Sequence, residues 1–179
     1  HYILGIRSQT GPGERSEPTN FVEALHRYLA QMQERHDLTV QMSLPAELSG
    51  LLVGAEVETQ LLRIIQEALT NVSKHAQAKR VTIDLSLARG MLSIEVSDDG
   101  RGLSADALAK AGSFGIRGLR ERAETVSGWV DLSSATSGTT IILSVPVSQA
   151  QRARAAAAAQ VDKDDDNSEH DPSTWGKDL

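Results

Sequence analysis

The chain has 179 residues, a formal net charge of −6 and no cysteine. Its length fits one domain with some appended sequence, and the lack of thiols excludes disulfides and thiolate metal sites. Aromatic residues make up only 3% of the chain, so we expect an aliphatic core. The net charge gives no reason to expect nucleic-acid binding, and no apolar run approaches the roughly 20 residues that span a bilayer.

Residues 1–18 are expected to hold the end of a helix and a linker. Residues 1–7 have the character of a helix tail, and Gly11-Pro12-Gly13 then breaks regular structure. Because the chain begins with His1 rather than methionine, we expect it to be part of a longer protein. A main domain over residues 19–148 and a tail over residues 149–179 complete the predicted organisation.

Two helices and one strand are predicted in the first half of the main domain. Thr19 and Asn20 can cap a helix that runs to about Met32, with apolar residues at helical spacing. Residues 38–44 alternate between apolar and polar side chains, which predicts a half-buried strand. A second helix is predicted over about residues 56–75. Its core stripe is expected to be Leu61, Ile65, Ala68 and Val72.

The second half of the domain predicts two pairs of strands separated by helices. Strands over residues 80–88 and 91–97 are joined by Arg89-Gly90, which favours a tight hairpin turn. The later elements are a short helix at 104–110, a helix at 117–126 that ends at Gly128, and strands at 129–133 and 139–147. Trp129 is expected in the core. This order predicts an α+β fold, a two-layer sandwich with helices on one face of a mainly antiparallel, mixed sheet.

Residues 149–179 differ in composition from the domain before them. An alanine-rich stretch precedes residues 162–179, which contain seven acidic residues and two lysines. Such a segment has little apolar surface to bury, so we expect the tail to be disordered.

One stretch of the second helix combines groups suited to a metal ion and to an anion. Glu67, Asn71 and Lys74 or His75 are three or four residues apart, so on a helix they share a face. Carboxylate and amide oxygens suit a hydrated divalent cation, whereas ammonium and imidazole groups suit its bound phosphates. Taken alone, the same pattern fits ordinary exposed helix residues.

Three glycine-marked segments follow this helix. The first ends a strand and lets the backbone pass close to a ligand, and the second opens a helix, whose N-terminal N–H groups favour phosphate. The third lies in the closing turn. The residues concerned are Asp98, Gly100 and Gly102, then Gly115, Ile116 and Gly118, and finally Gly138, Thr139 and Thr140. The segment with Asp98 and Gly100 alone is weak evidence, because Asp-Gly pairs commonly form turns. The order of the three segments after the helix indicates a nucleotide-binding module.

In this order and spacing, residues 56–147 resemble the ATP-binding catalytic domain of sensor histidine kinases, within the Bergerat-fold ATPase superfamily. Residues 67–75 resemble its N box, and residues 98–102, 114–118 and 138–140 resemble its glycine boxes. The ending Lys74-His75-Ala76 and residues 115–123 are most similar to the nitrate-sensor and lipid-fluidity-sensor subgroup. The short lid between the first two glycine boxes agrees with that subgroup.

The resemblance implies a role for each motif residue. Asn71 would hold Mg²⁺ at the triphosphate, and Glu67 would bind a metal-bound water or polarise the attacking group. Asp98 would accept a hydrogen bond from the adenine amine. The other implied nucleotide-binding residues are Lys74, His75, Gly115, Ile116 and Gly118 at the phosphates, Gly100 and Gly102 beside the base, and Gly138, Thr139 and Thr140 in the last box, with Thr140 near the adenine.

The implied function is transfer of the γ-phosphoryl group of Mg·ATP to a histidine of a dimerisation domain and, through it, to a cytoplasmic response regulator. His26 is followed by Arg27 instead of an acid, so we do not expect it to be the acceptor. Residues 1–7 would then end the dimerising hairpin, with the acceptor upstream. Two alternatives stay open: an anti-sigma-factor-type serine kinase, and a non-catalytic nucleotide-binding interaction module. A membrane-anchored parent also stays open.

Overall fold

The structure is a computed structural model that describes residues 19–102, 106, 115–148, 151 and 157. The helices are α1 (Phe21–Arg35), α2 (Ala55–Asn71) and α3 (Gly115–Glu124). The strands are β1 (Thr19–Asn20), β2 (Thr39–Ser43), β3 (Leu52–Val53), β4 (Arg80–Ala88), β5 (Met91–Asp98), β6 (Trp129–Ala135) and β7 (Gly138–Pro146). The segments predicted at 1–18, 104–110 and 149–179 lie almost wholly outside the described residues.

Five strands form the main sheet, in the order β2-β4-β5-β7-β6. β2 is parallel to β4, and the other neighbouring strands are antiparallel. The β4–β5 hairpin turns at Arg89 and Gly90, whose φ angles of 51° and 78° suit a tight turn, as the sequence predicted. β1 and β3 form a separate two-stranded ribbon. Strands of two residues carry no usable periodicity, so the sequence did not predict this ribbon.

One face of the sheet packs against the helices and forms the core. Alternate residues of β4, β5 and β7 are buried there, and the predicted stripe of α2 is buried against them. The opposite face is polar: the hydroxyls of Ser93 and Ser144 lie 2.8 Å apart, and those of Ser97 and Thr140 lie 2.9 Å apart. The predicted α+β fold, with helices on one face of a mixed sheet, is confirmed.

The expectation that Trp129 belongs to the core is wrong. Trp129 is 50% exposed and begins β6, the edge strand of the sheet, beside Ser144 of β7. Its neighbour Val130 is buried. Val130 faces the core. Because successive side chains of a strand point to opposite faces, the Trp129 indole points to the polar face.

The predicted second helix also changes character before His75. α2 ends at Asn71, and Val72–Ala76 form a π-helical turn that stops at Gln77, which is left-handed with φ 52°. The Ser73 hydroxyl donates to the Thr70 carbonyl oxygen at 3.0 Å. Such bonding to the preceding turn competes with the regular helical pattern, and π turns often occur at functional sites.

Gly128 takes part in the C-terminal cap of α3, as predicted, but the left-handed residue of the cap is Ser127. Ser127 takes the left-handed conformation after α3, with φ 58°, and the Gly128 N–H donates to the Ala123 carbonyl oxygen at 2.8 Å. A Cβ at residue 128 would lie 2.6 Å from the Ser144 carbonyl oxygen. Close packing against β7 therefore requires the glycine.

Candidate functional site

The directions of the strands bring the predicted motif segments to one end of the sheet, where β5 ends and β7 begins. β5 ends there with Asp98, and the antiparallel β7 begins there with Gly138. α2 leads through the π-turn to the start of β4, whose Val81 pairs with Asp98. α3 packs against α2 and β6. The last turn of α3 leads to the start of β6, which lies at the opposite end of the sheet from Asp98. The Gly115 end of α3 therefore points toward the end of the sheet where the motif segments lie.

Asp98 ends a stripe of buried apolar residues. Leu92, Ile94 and Val96 alternate along β5 on the helix-covered face, and Asp98 is the next residue in that alternation. Its Oδ1 accepts a hydrogen bond from the Gly100 N–H at 2.8 Å. Burial raises the pKa of the Asp98 carboxyl, and hydrogen bonds from the backbone N–H groups of Gly100 and Thr139 oppose this rise. The result is a half-buried carboxylate held in one orientation at the rim of the core.

Two of the motif glycines allow backbone segments to touch. Gly102 has φ 72°, and a Cβ there would overlap the carbonyl oxygen of Ala135, at the end of β6. Gly138 has φ 135°, and a Cβ there would overlap the carbonyl oxygen of Asp98. Both conformations also favour glycine over other residues. The β6–β7 hairpin is thus packed directly against the loop that carries Asp98. Gly100 is buried and acts through its N–H group.

The two threonines of the last box lie on opposite faces of the sheet. Thr140 pairs with Ser97, and their hydroxyls meet on the polar face, away from the helices. Thr139 lies on the same side as Asp98, and its hydroxyl is 3.1 Å from that of Ser134. The resemblance implied a position near the adenine for Thr140. Ile141 and Leu143 of β7 face the helices, and side chains alternate along a strand, so Thr139 rather than Thr140 is the residue on the helix-covered face.

The end of α2 presents the predicted metal and phosphate residues. Glu67 and Lys74 are exposed, and Asn71 is half-buried at the last position of α2. The backbone of His75 lies in the π-turn, whereas its side chain falls outside the described residues. In the described part of the chain, no three His, Cys, Asp or Glu side chains are placed to share a metal ion. Any divalent cation here would depend on ligands from its phosphates or from water.

The N-terminal turn of α3 contains two glycines with open space among the described residues. Among the described residues, no atom lies within 4 Å of a Cβ placed at Gly115 or at Gly118. Ile116 between them is buried. The Arg117 side chain forms an exposed ion pair with Glu121 at 2.8 Å, which is one helical turn away and contributes little stability. With respect to the described residues, the first turn of α3 therefore offers space next to backbone N–H groups that lack helical partners.

Together these groups can perform the separate tasks of nucleotide recognition. A fixed carboxylate can accept a hydrogen bond from an amino group, an amide oxygen can bind a cation, and a helix N-terminus can bind an anion. These features fit the nucleotide-binding module that the sequence predicted.

Comparison with known families agrees with this assignment. The model of the histidine kinase-, DNA gyrase B-, and HSP90-like ATPase family matches residues 56–149, which is more than half of the chain. The chain belongs to this family. The matched residues include every predicted site residue, from Glu67 to Thr140.

Curated relatives narrow the comparison to sensor histidine kinases. The sensor histidine kinase LiaS of Bacillus subtilis (strain 168) is 31% identical over 126 residues, which cover 70% of this chain and 34% of that protein. The oxygen sensor histidine kinase NreB of Staphylococcus carnosus (strain TM300) is 33% identical over 126 residues, which cover 70% and 36%. The chain thus spans about a third of the length of these relatives. It is an ATP-binding domain of the histidine-kinase type.

Solved structures share the fold. The ATP-binding domain of PrrB from Mycobacterium tuberculosis superposes with a TM-score of 0.63 at 20% identity, covering 76% of this chain and all of that one. The histidine kinase domain of the blue-light activated kinase of Erythrobacter litoralis EL346 gives 0.61 at 23%, covering 82% and 70%. Within the described residues, no helix combines the length and apolarity required to cross a bilayer.

Proposed function

We propose that this domain binds Mg·ATP and donates its γ-phosphoryl group to a histidine of a dimerisation domain. The observation that carries the proposal is the placement of Asp98. Its restrained carboxylate lies at the same end of the sheet as the N-terminus of α3 and the C-terminus of α2. Family membership supports ATP as the nucleotide. The sensor histidine kinases among the relatives support histidine as the acceptor.

At the adenine end, Asp98 would accept a hydrogen bond from the exocyclic amine. The Gly100 and Thr139 N–H groups restrain the carboxylate, so little entropy is lost on binding. We assign the neighbouring hydroxyl contact to Thr139, because the Thr140 hydroxyl faces the opposite side of the sheet. Gly102 and Gly138 would act indirectly, by packing the hairpin against this loop.

At the phosphate end, Asn71 would bind Mg²⁺ through its amide oxygen. The ion, when bound, neutralises charge on the phosphates. Its fit rests on the chemistry of the donors, since Asn71 and Glu67 offer oxygen atoms and the cation would receive its other ligands from phosphate and water. Glu67, exposed one turn before Asn71, would hold a water of the ion or polarise the attacking group. Lys74 and His75 would face the phosphates.

The open turn of α3 would receive the phosphates. Gly115 and Gly118 leave space there for an anion, and backbone N–H groups at the start of a helix favour negative charge. Ile116 is buried, so we assign it to the wall of the site.

The partners follow from the same proposal. The acceptor histidine would belong to a dimerisation domain, and a response regulator would then receive the phosphoryl group in the cytoplasm. His26 is exposed on α1 and is not assigned as the acceptor.

Phosphoryl transfer to a separately produced dimerisation hairpin tests this function. With labelled ATP and Mg²⁺, the hairpin of a sensor kinase should gain label that is lost in acid and kept in alkali, as phosphohistidine is. Phosphorylation of the hairpin by its own catalytic domain is the positive control. Acid-stable label would support a serine kinase instead, and no label beside a working control would contradict phosphoryl transfer.

A further inference from the structure

Asp99 joins the loop after β5 to the segment that enters β4. Its Oδ1 accepts hydrogen bonds from the N–H groups of Lys79 and Arg80, both at 3.0 Å. Its own N–H donates to the Arg80 carbonyl oxygen at 3.2 Å. Three hydrogen bonds thus tie one residue of the glycine loop to two consecutive residues after the π-turn. A simple turn-forming role, as the Asp-Gly pattern suggests, does not require these bonds.

The two halves of the site meet through this contact. Asp98, the neighbour of Asp99, lies at the adenine end, while Lys79 follows the π-turn that leaves the end of α2 and Asn71. The Lys79 carbonyl oxygen also accepts a hydrogen bond from the Thr39 N–H at 2.8 Å, so the segment is held from both sides. The segment that leads from the π-turn into β4 is therefore tied both to β2 and to the loop that follows Asp98.

We propose that Asp99 is a positioning residue, which sets the spacing between Asp98 at the adenine end and Asn71 at the phosphate end. This inference rests on the proposed function, because only a ligand that reaches both ends depends on their spacing. For such a ligand, small displacements of one end weaken binding even when each contact group is intact.

The Asp99 carboxylate acts here as a hydrogen-bond acceptor. A single oxygen, Oδ1, accepts both bonds, so an asparagine can make the same contacts without the charge. The backbone N–H groups of Arg80 and Lys79 hold the pKa of the Asp99 carboxyl below its ordinary value. Asp99, Lys79 and Arg80 are all exposed. Water can replace the lost bonds in a variant, so we expect the domain to stay folded.

Binding of two ligands of different length tests the proposal on the full chain. Mg·ATP reaches both ends of the site, whereas adenosine reaches only the Asp98 end. In Asp99→Ala, we expect the affinity for Mg·ATP to fall about tenfold, while that for adenosine changes less than about twofold. Asp99→Asn should restore both affinities to within about twofold of the original protein. Asp84→Ala, which removes an exposed carboxylate of β4, is the matched control and should change neither affinity.

The outcomes separate this inference from the proposed function. If the unaltered chain binds neither ligand, the proposed function fails, and the positioning role fails with it. If the chain binds but Asp99→Ala binds Mg·ATP equally well, or loses both ligands in parallel, only the positioning role is overturned. Asp99→Asn behaving like Asp99→Ala would also overturn it, because charge would then matter rather than hydrogen bonding. Should Asp99→Ala not fold, Asp99→Ser keeps one acceptor and should show an intermediate, ATP-selective loss.

Discussion

Gly138 lies directly against the carbonyl group of Asp98, so closely that a Cβ on residue 138 would overlap the Asp98 oxygen. The contact joins the first residue of β7 to the last residue of β5. It holds the β6–β7 hairpin against the residue to which we assign adenine recognition. The glycine at the end of the motif series is therefore explained by packing within the protein.

Replacing Gly138 with alanine should damage both stability and binding. The φ of 135° is unfavourable for alanine, and the overlap must be relieved by moving the Asp98 backbone. We expect the free energy of unfolding to fall by about 2 kcal/mol or more, together with a loss of ATP affinity. Denaturant unfolding and ATP titration measure the two effects.

Gly54→Ala is the matched control for that variant. Gly54 has φ −63° and open space around a Cβ, so its replacement should change stability by only about 0.5 kcal/mol. Equal stability of the Gly138→Ala and Gly54→Ala variants would contradict the packing role.

Gly118→Ala should change stability and affinity in opposite directions. Alanine favours a helix interior over glycine by about 0.5–1 kcal/mol, and no atom of the described residues lies within 4 Å of a Cβ at this position. If the open space receives phosphate, the added methyl group will lower ATP affinity while the melting temperature rises. Arg120→Ala, exposed on the same helix, should leave affinity unchanged. A Gly118→Ala variant that binds ATP normally would argue against phosphate at this turn.

Asn71→Ala should remove the benefit of Mg²⁺ for ATP binding. In the original protein, Mg²⁺ should raise ATP affinity, because the amide oxygen of Asn71 binds the ion that the phosphates also bind. We expect the variant to lose roughly tenfold in affinity with Mg²⁺ and little without it. Calorimetric titrations with Mg²⁺ and with a chelator provide the comparison. Gln66→Ala, at an exposed position of α2, is the control, and an unchanged Mg²⁺ response in Asn71→Ala would refute this ligand.

The affinity for nucleotide should decline in acid, because the Asp98 carboxyl must be ionised for both of its oxygens to accept hydrogen bonds, including the one from the adenine amine. Burial raises its folded-state pKa above the ordinary value of 3.8, so the carboxylate gains a proton as the pH falls through that raised value. The affinity for nucleotide should be constant near neutral pH. As the solution is acidified, the affinity should begin to fall at a higher pH than it would if Asp98 had the pKa of an ordinary aspartate. Titrations across the acidic range, with folding followed by circular dichroism, measure the decline. An affinity independent of pH while the domain stays folded would exclude this role.

Much of the fold follows from periodicity in the sequence. The β4–β5 hairpin shows why: Val81, Ile83 and Leu85 alternate with polar residues because one face of the sheet is buried and the other is not. The bounds of β4 agree with those predicted, and the cap of α1 is confirmed by the hydrogen bond from the Glu23 N–H to the Asn20 side chain.

Features that depend on tertiary contact escaped prediction. Gly128 is required by the approach of β7, and Trp129 is exposed because its strand lies at the edge of the sheet. The hydrogen bonds from the N–H groups of Lys79 and Arg80 to Asp99 join residues about twenty positions apart, which no local sequence pattern indicates.

One missed feature was local. Ser148 and Gln151 are bonded in both directions, as in a capping box, and could have been found from their spacing.

Calorimetric titration of Mg·ATP into the full chain and its Asp98→Asn variant tests the central claim most directly. Asparagine is nearly the same size, but it lacks the charge that strengthens a hydrogen bond from the adenine amine. We predict that the original chain binds one Mg·ATP and that Asp98→Asn loses at least about tenfold in affinity. Asp131→Asn, at an exposed position of the edge strand β6, should bind normally. Failure of the original chain to bind Mg·ATP, or full affinity in Asp98→Asn, would contradict the account.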